Sequence, residues 1–408
     1  MQLLIYEHIS GGGCADEKMS PSILSEGYGM LSSLVSDFKA AGHGVTTLFD
    51  SRLRAFDPPL EADHIVSISS SNELNSNLKK LAGAVDAVYV IAPESGHTLQ
   101  SLVELVEASG GLSLNSQINA IAETSNKKIM NEVLEKKGLV VPETVVIDLD
   151  EDVKSIIQLL GELDFPLLFK PVDGASCSGL SIVKDGNHVN SAVKKIARES
   201  SSKHFVAQNL IRGINVSVSV LSTGEKALPV TLNKQIVTLA PPHEESSYNG
   251  GVVPFNHALQ EEALKAAQKA VVSVRGLNGY VGVDMVLTSD GPVVIEINPR
   301  LTTSYVGLRK AATLNLAQAM VDAVLWGQLP GHVQREGYAV FSKVEVPPVS
   351  KDISRIFAFK EIVSPPFTVT ANEPTYALLA THSSELKDAQ TALCRAKKRL
   401  MNTYHTGD

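Results

Sequence analysis

The sequence predicts a mixed fold, α/β at its start and α+β beyond, closing in a small β-rich C-terminal extension. Three observations predict it. Strand-like and helix-like segments alternate through the first hundred residues, two β runs joined by an Asp-Gly turn lie at 279–298, and the pattern turns β-rich from about 330. The 408 residues are 44% hydrophobic and 20% charged, a globular balance that excludes a wholly disordered chain. At about 150 residues per domain, this length makes two or three domains.

Leu3–Tyr6, Val45–Phe49, His64–Ile68 and the apolar run Val85–Ala92 read as strands, with helices over about Glu26–Ala41 and Leu74–Ala82. Such alternation predicts a parallel sheet covered by helices, with ligands near the carboxyl ends of its strands. That places the loops at Tyr6–Gly13 and Pro93–Gly96 near substrate. The triplet Gly11-Gly12-Gly13 lacks the spacing of a dinucleotide or Walker A loop, so it reads as a flexible or substrate-contacting loop.

The middle of the chain predicts a helix at Asn126–Lys137, strands at Thr144–Ile147, Phe165–Val172, Leu180–Val183, His204–Leu210 and Ile214–Leu221, and a helix at Val189–Arg198. Beyond 330, strands are expected at Ala339–Val346, Phe367–Thr370 and Tyr376–Ala380, then an exposed helix at Ser384–Met401.

Charge and cysteines narrow the setting. With 36 Lys+Arg against 44 Asp+Glu, the net charge of −8 gives no general reason to bind nucleic acid or an anionic membrane. Cys14, Cys177 and Cys394 are too few and scattered for a disulfide framework or a cysteine zinc site. No apolar run approaches the ~18 residues that span a bilayer. A cytoplasmic protein is expected.

The most specific stretch is Gly279–Leu287 followed by Val293–Arg300. Glu296 and Asn298 are two apart and share a face, and a turn centred near Asp290 sets Asp284 opposite Glu296. Two carboxylates and a carboxamide suit Mg²⁺ or Mn²⁺ rather than zinc. As solvent-facing residues of a plain hairpin they would be unremarked, but Arg300 follows them and a lysine precedes a small-residue loop. Lys170, with Asp173-Gly174-Ala175-Ser176-Cys177-Ser178-Gly179, can neutralise phosphate while backbone amides close over it. Lys127 or its neighbour Lys128 can reach the same phosphates, and Arg300 can meet a transferred phosphoryl group.

The order Lys127, Lys170 with Gly174–Gly179, Gln208-Asn209-Leu210, then Asp284, Glu296 and Asn298 resembles the ATP-grasp superfamily. The resemblance implies an ATP-grasp domain over 113–330, a pre-ATP-grasp domain at 1–112, and an extension at 331–408. It implies ATP between two subdomains: adenine at Gln208, Asn209 and Leu210, ribose near Asn215, phosphates on Lys127, Lys170, Gly174, Ser176 and Gly179. Asp284, Glu296 and Asn298 would hold metal, with Glu296 bridging two Mg²⁺. Gln208 and Asn215 stand where many members carry Glu.

A narrower resemblance rests on Tyr6-Glu7-His8, Glu26-Gly27-Tyr28-Gly29-Met30, Ala92-Pro93-Glu94, Leu232-Asn233-Lys234-Gln235, Tyr248-Asn249-Gly250-Gly251 and Asn298-Pro299-Arg300-Leu301-Thr302-Thr303-Ser304-Tyr305. These strings resemble the tyramine–L-glutamate ligase family of methanofuran-type cofactor biosynthesis. Lys234 joins the nucleotide contacts, and in a ligase mechanism Lys170 and Arg300 would supply the catalytic positive charge. The implied substrates are glutamate and tyramine, joined through an acyl phosphate, with self-association left open. Tyr6, Tyr28, Tyr248 and Tyr305 are candidates to line an aromatic acceptor's site, and His8 and Glu94 lie in loops expected at the cleft. The competing class is another ATP-grasp ligase, a phosphotransferase or an ATP sensor.

Overall fold

The computed structural model describes residues 1–408 except 162, 175–176, 349–352, 371–372 and 406–408. Its first sheet is built from β1 (Gln2–Glu7), β2 (Gly44–Asp50), β3 (His64–Ile68) and β4 (Ala87–Ile91), in the order β3-β2-β1-β4. All three pairings are parallel. β1 and β4 are almost wholly apolar and buried on both faces, as a helix-covered parallel sheet requires.

A second sheet holds β5 (Thr144–Asp148), β6 (Leu167–Pro171), β7 (Ser181–Val183) and β8 (His204–Asn209), ordered β5-β8-β6-β7 and antiparallel throughout. Alternation along β6 sends Leu167 and Phe169 into a core with Phe205 and leaves Leu168 and Lys170 on the other face.

The third sheet has eight strands: β9 (Ile214–Thr223), β10 (Ala227–Thr238), β11 (Ser247–Val253), β12 (Asn278–Thr288), β13 (Gly291–Asn298), β14 (Tyr338–Val346), β15 (Ile362–Ser364) and β16 (Thr375–Ser383). Their order is β13-β12-β9-β10-β11-β14-β16-β15. The C-terminal strands are therefore continuous with the sheet that carries the Asp284–Glu296 hairpin. The segment Phe367–Thr370 is coil, and the strand lies earlier at Ile362–Ser364. Pro365 and Pro366 explain this, because each lacks the N–H that a ladder needs. Phe367 instead packs edge-on against Tyr28 and Phe56. The last helix, Leu386–His405, is exposed on one side only. Ala389, Leu393, Ala396 and Leu400 bury its other side in the main core.

Helix α1 (Pro21–Ala40) joins the two ends of the chain. Its Leu24, Tyr28, Leu31, Leu34, Val35 and Phe38 are buried in one core with β1, β14 and β16. A helix apolar on most of its circumference must be enclosed. Enclosure here fixes the first sheet against the large one and brings Glu26 to the cleft. Among the described residues, no helix is long and apolar enough to cross a membrane.

Candidate active site

A cleft opens between the second sheet and the large sheet. On the large-sheet side, β12 and β13 form a hairpin with a two-residue turn, closed by Thr288 opposite Gly291. Asp284 stands opposite Glu296 and Gly282 opposite Asn298, so the three oxygen donors share one face. The Asn298 amide donates to Asp284 Oδ2 at 3.2 Å, and the Gln235 amide to Asp284 Oδ1 at 2.9 Å.

The electrostatics of this face suit a cation. Burial, then the neighbouring Glu296 charge, pushes the Asp284 carboxyl up to about 7. Burial also opposes ionisation of Glu296, but the Lys127 and Lys170 charges and the Lys127 hydrogen bond outweigh it, and its pKa falls below the usual carboxylate value. Two carboxylates side by side in a buried place call for positive charge between them. Acidic and carboxamide oxygens are the donor set for Mg²⁺ or Mn²⁺, so the residues present fit such an ion. Amide O and N are interchangeable by rotation, so Asn298 can turn its oxygen inward.

Three basic side chains converge on the same place. Lys127 opens the helix Lys127–Lys136, which Asn126 caps by accepting from the amides of Lys128 and Ile129. Its Nζ lies 3.0 Å from Glu296 Oε1 and donates to the Gly174 carbonyl at 2.7 Å. Lys128 is exposed, so the helix directs Lys127, not its neighbour, into the cleft. Lys170 is buried. Burial, then the Lys127 charge, lowers its pKa to about 8 against the pull of Glu296 and Asp284. Arg300 also lines the cleft and pairs with buried Glu94 at 2.8 Å. One end of the cleft is apolar, with Leu168, Leu210, Ile211, Met285 and Ile295, and carries the amides of Gln208, Asn209 and Asn215. Gln208 spends its amide N–H on the Thr144 hydroxyl at 2.7 Å. Apolar walls, a few amides and a cationic centre match the chemistry of a nucleoside triphosphate.

Of the expected residues, Lys127, Lys170, Gly174, Gln208, Asn209, Leu210, Asn215, Asp284, Glu296, Asn298 and Arg300 meet in this cleft. Ser176 lies outside the described residues. Gly179 turns away: its N–H donates to the Glu199 carboxylate at 3.0 Å. Lys234 is a correction. It is exposed on the far side of β10, with Nζ 5.6 Å from the Phe255 ring centre, while Gln235 and Val237 face the cleft. A strand alternates, so adjacent residues cannot both point in. Of the four tyrosines, Tyr248 lines the cleft. Tyr28 donates to the Pro59 carbonyl, Tyr305 to Asp37, and Tyr6 is buried beside His8. Burial lowers the His8 pKa to about 4.

Glu26, Gln235 and Thr302-Thr303-Ser304 stand in the strings of the narrower resemblance without a site role assigned to them, and all line the cleft. Alternation along β10 was the available signal for Gln235. For Glu26 the resemblance string was the available signal, and its place in the cleft depends on where α1 docks.

The chain matches two family models, a pre ATP-grasp 3 domain over residues 43–121 and an ATP-grasp domain over 124–304. It is 29% identical over 317 residues to a tyramine–L-glutamate ligase from Methanocaldococcus jannaschii, covering 76% of this chain and 86% of that one. A solved ATP-grasp superfamily protein from Archaeoglobus fulgidus is 26% identical, with a TM-score of 0.64 over 94% of this chain and 99% of that one. The N5-carboxyaminoimidazole synthase of Aspergillus clavatus, solved with ADP and its ribonucleotide, shares the fold at 18% identity, with a TM-score of 0.69 over 98% of both chains. Two successive domain matches and a cleft between two antiparallel sheets agree: the chain carries a pre-ATP-grasp domain followed by an ATP-grasp domain, and it is similar to relatives named as ligases.

Proposed function

We propose that this enzyme joins the γ-carboxyl of L-glutamate to the amine of tyramine, with ATP converted to ADP and phosphate, in the assembly of a methanofuran-type cofactor. The observation that carries the reading is the meeting of Asp284, Glu296 and Asn298 with Lys127, Lys170 and Arg300 in one cleft. The relatives named tyramine–L-glutamate ligase, 29% identical over most of their length, support the choice of substrates.

A carboxylate does not acylate an amine at neutral pH, because oxide would have to leave. In the proposed route a carboxylate oxygen attacks the γ-phosphorus and ADP departs. The amine then attacks the acyl carbon of the acyl phosphate, loses a proton, and phosphate departs. The protein's part is alignment and charge neutralisation. Lys127 and Lys170 face the phosphates, and Arg300, held by Glu94, faces the transferred group. Asp284, Glu296 and Asn298 would hold Mg²⁺ or Mn²⁺, which supplies further positive charge to the phosphoryl oxygens. Gln208, Asn209, Leu210 and Asn215 form the nucleoside end, and Gly174 adjoins the phosphates.

The test crosses amino acids with amines in the presence of MgATP and reads ADP and inorganic phosphate. The expected result is equimolar ADP and phosphate only when glutamate and tyramine are both present. ADP without phosphate, from a single acceptor, would instead mark a phosphotransferase. Equal release with other pairs would move the substrates while keeping the ligase.

A further inference from the structure

The hairpin lays out the cleft in order. Along β9 and β12, Asn215 pairs with Val286 at the nucleoside end, Ser217 with Asp284 at the metal-binding face, and Ser219 with Gly282 beyond it. At about 3.3 Å per residue these steps define a direction. Besides the Asp284–Glu296 pair, the cleft is walled by Thr302, Thr303, Ser304, Tyr248 and Glu26. The expected nucleotide residues account for none of these.

Glu26 is built into this wall. Its Oε1 lies 2.7 Å from Lys343 Nζ, and its Oε2 accepts from the Thr303 hydroxyl at 2.8 Å. Lys343 also donates to the Ser22 hydroxyl at 2.6 Å. Both charged side chains are almost enclosed, at 12% and 7% exposure. The Tyr248 hydroxyl stands near Ser304 and near the same carboxylate. A carboxylate offers about four acceptor positions, and Glu26 spends two on Lys343 and Thr303 while still lining the cleft. Glu26 and Lys343 come from opposite ends of the chain, and both lie outside the matched family segments 43–121 and 124–304.

A buried, mutually neutralised pair is poor at attracting a lone ion, but it complements a group that carries both charges. We propose that the Glu26–Lys343 pair recognises the zwitterionic head group of an α-amino-acid substrate. Glu26 takes the ammonium and Lys343 balances the adjacent carboxylate. The proposal rests on the ligase reading and deepens it. The ammonium at Glu26 is not the reacting amine. A carboxylate beside an amine favours its protonated form, which has no lone pair for attack. A fixed carboxylate therefore suits the amino group that must stay protonated while the other end of the molecule is activated.

The test uses glutamate and two analogues that keep the carboxyl to be activated: glutarate lacks the ammonium, and 4-aminobutyrate lacks the α-carboxylate. Wild-type protein loaded with Mg²⁺ and a non-hydrolysable ATP analogue should be thermally stabilised by glutamate and by neither analogue at equal concentration. Glu26→Gln should raise the KM for glutamate about tenfold or more, the range for a hydrogen bond to a charged group. It should leave the KM for ATP and the rate with glutarate within twofold. Lys343→Met should weaken glutamate alone in the same way, and Glu26→Asp should restore part of the loss. Equal losses with glutamate and glutarate would reduce Glu26 to a packing role and overturn the proposal. So would a nucleotide-loaded wild type that no α-amino acid stabilises. A wild type not stabilised by the Mg²⁺–nucleotide itself would overturn the ligase reading and the proposal with it, whereas stabilisation by an amino acid other than glutamate would change the substrate and leave the head-group site in place.

Discussion

Asp284 faces Glu296 because Ile295 is an extra residue in its strand. Near the turn the hairpin pairs Thr288 with Gly291 and Met285 with Val294, yet the next pair is Asp284 with Glu296. Without that bulge Asp284 would oppose Ile295, and the two carboxylates would point to opposite faces.

Bringing the carboxylates together costs stability while no cation lies between them, which gives a test in two parts. The Asp284 pKa is raised in the folded state, to about 7, by burial and then by Glu296. Between the ordinary carboxylate range and pH 7 the folded state binds more protons than the unfolded one, so metal-free stability falls as pH rises through that window. Asp284→Asn should therefore be more stable than wild type at pH 8 without metal, by about 2 kcal/mol, and should lose the stabilisation that Mg²⁺ gives wild type. Glu296→Ala should lower turnover about a hundredfold or more with its circular dichroism unchanged. A metal-free Asp284→Asn protein that melts below wild type, or an active Glu296→Ala protein, would remove the cation site.

The neighbours Lys234 and Gln235 divide along the strand, one outward and one into the cleft. Lys234→Ala removes a side chain that rests on Phe255, and kcat/KM for ATP should stay within about twofold, as for surface positions generally. Gln235→Leu removes the hydrogen bond to Asp284 and should lower kcat/KM about tenfold. Steady-state kinetics on the two variants decides between them, and the reverse order would put the lysine back in the site.

The same pair shows what was legible in the sequence. The hairpin could be read because Asp, Glu and Asn interrupt runs of Val, Ile and Met, and apolar strands admit such groups only for a purpose. Lys170 could be read because it ends an apolar run ahead of a small-residue loop. Lys234 came with the resemblance, whereas strand parity turns Gln235 into the cleft. The pairing of Glu26 with Lys343 was out of reach, since their 2.7 Å contact joins residues 317 apart and follows from α1 docking under strands contributed by the C-terminal segment. The placing of Phe367–Thr370 in a strand missed the two prolines ahead of it.

Lys170 should make nucleotide binding pH-dependent on the alkaline side. Its pKa is lowered to about 8 by burial and then by Lys127, so the folded, nucleotide-free protein loses this charge as pH rises past 8. A polyphosphate favours the charged form, so the Kd for MgADP should weaken above pH 8, approaching tenfold per unit. Between about 8 and the ordinary lysine value the unfolded chain binds more protons than the folded one, so stability without nucleotide should rise across that interval. Calorimetric titration at pH 7, 8 and 9 checks the binding. Lys170→Met should bind more weakly throughout and show a flatter profile, and a wild-type Kd constant to pH 9 would contradict the role.

Gly27 is required by a carboxylate that cannot move. A Cβ there would lie 2.6 Å from Glu7 Oε1. Glu7 is anchored by the Ile9 amide at 3.1 Å on Oε1, and by the Ser10 amide at 2.7 Å and hydroxyl at 2.6 Å on Oε2. Gly29, two residues on in the same helix, would meet only the tip of the Leu378 side chain at this range. Replacing a helical glycine by alanine normally stabilises by up to about 1 kcal/mol, whereas overpacking costs about 1–3 kcal/mol. Gly27→Ala should therefore destabilise by about 2 kcal/mol, and Gly29→Ala by less, because Leu378 can rotate. Denaturant titrations measure both. Shortening the anchored residue with Glu7→Asp should recover part of the Gly27→Ala loss in a double-mutant cycle. Strict additivity of the two substitutions would show that the clash is not what excludes a side chain from position 27.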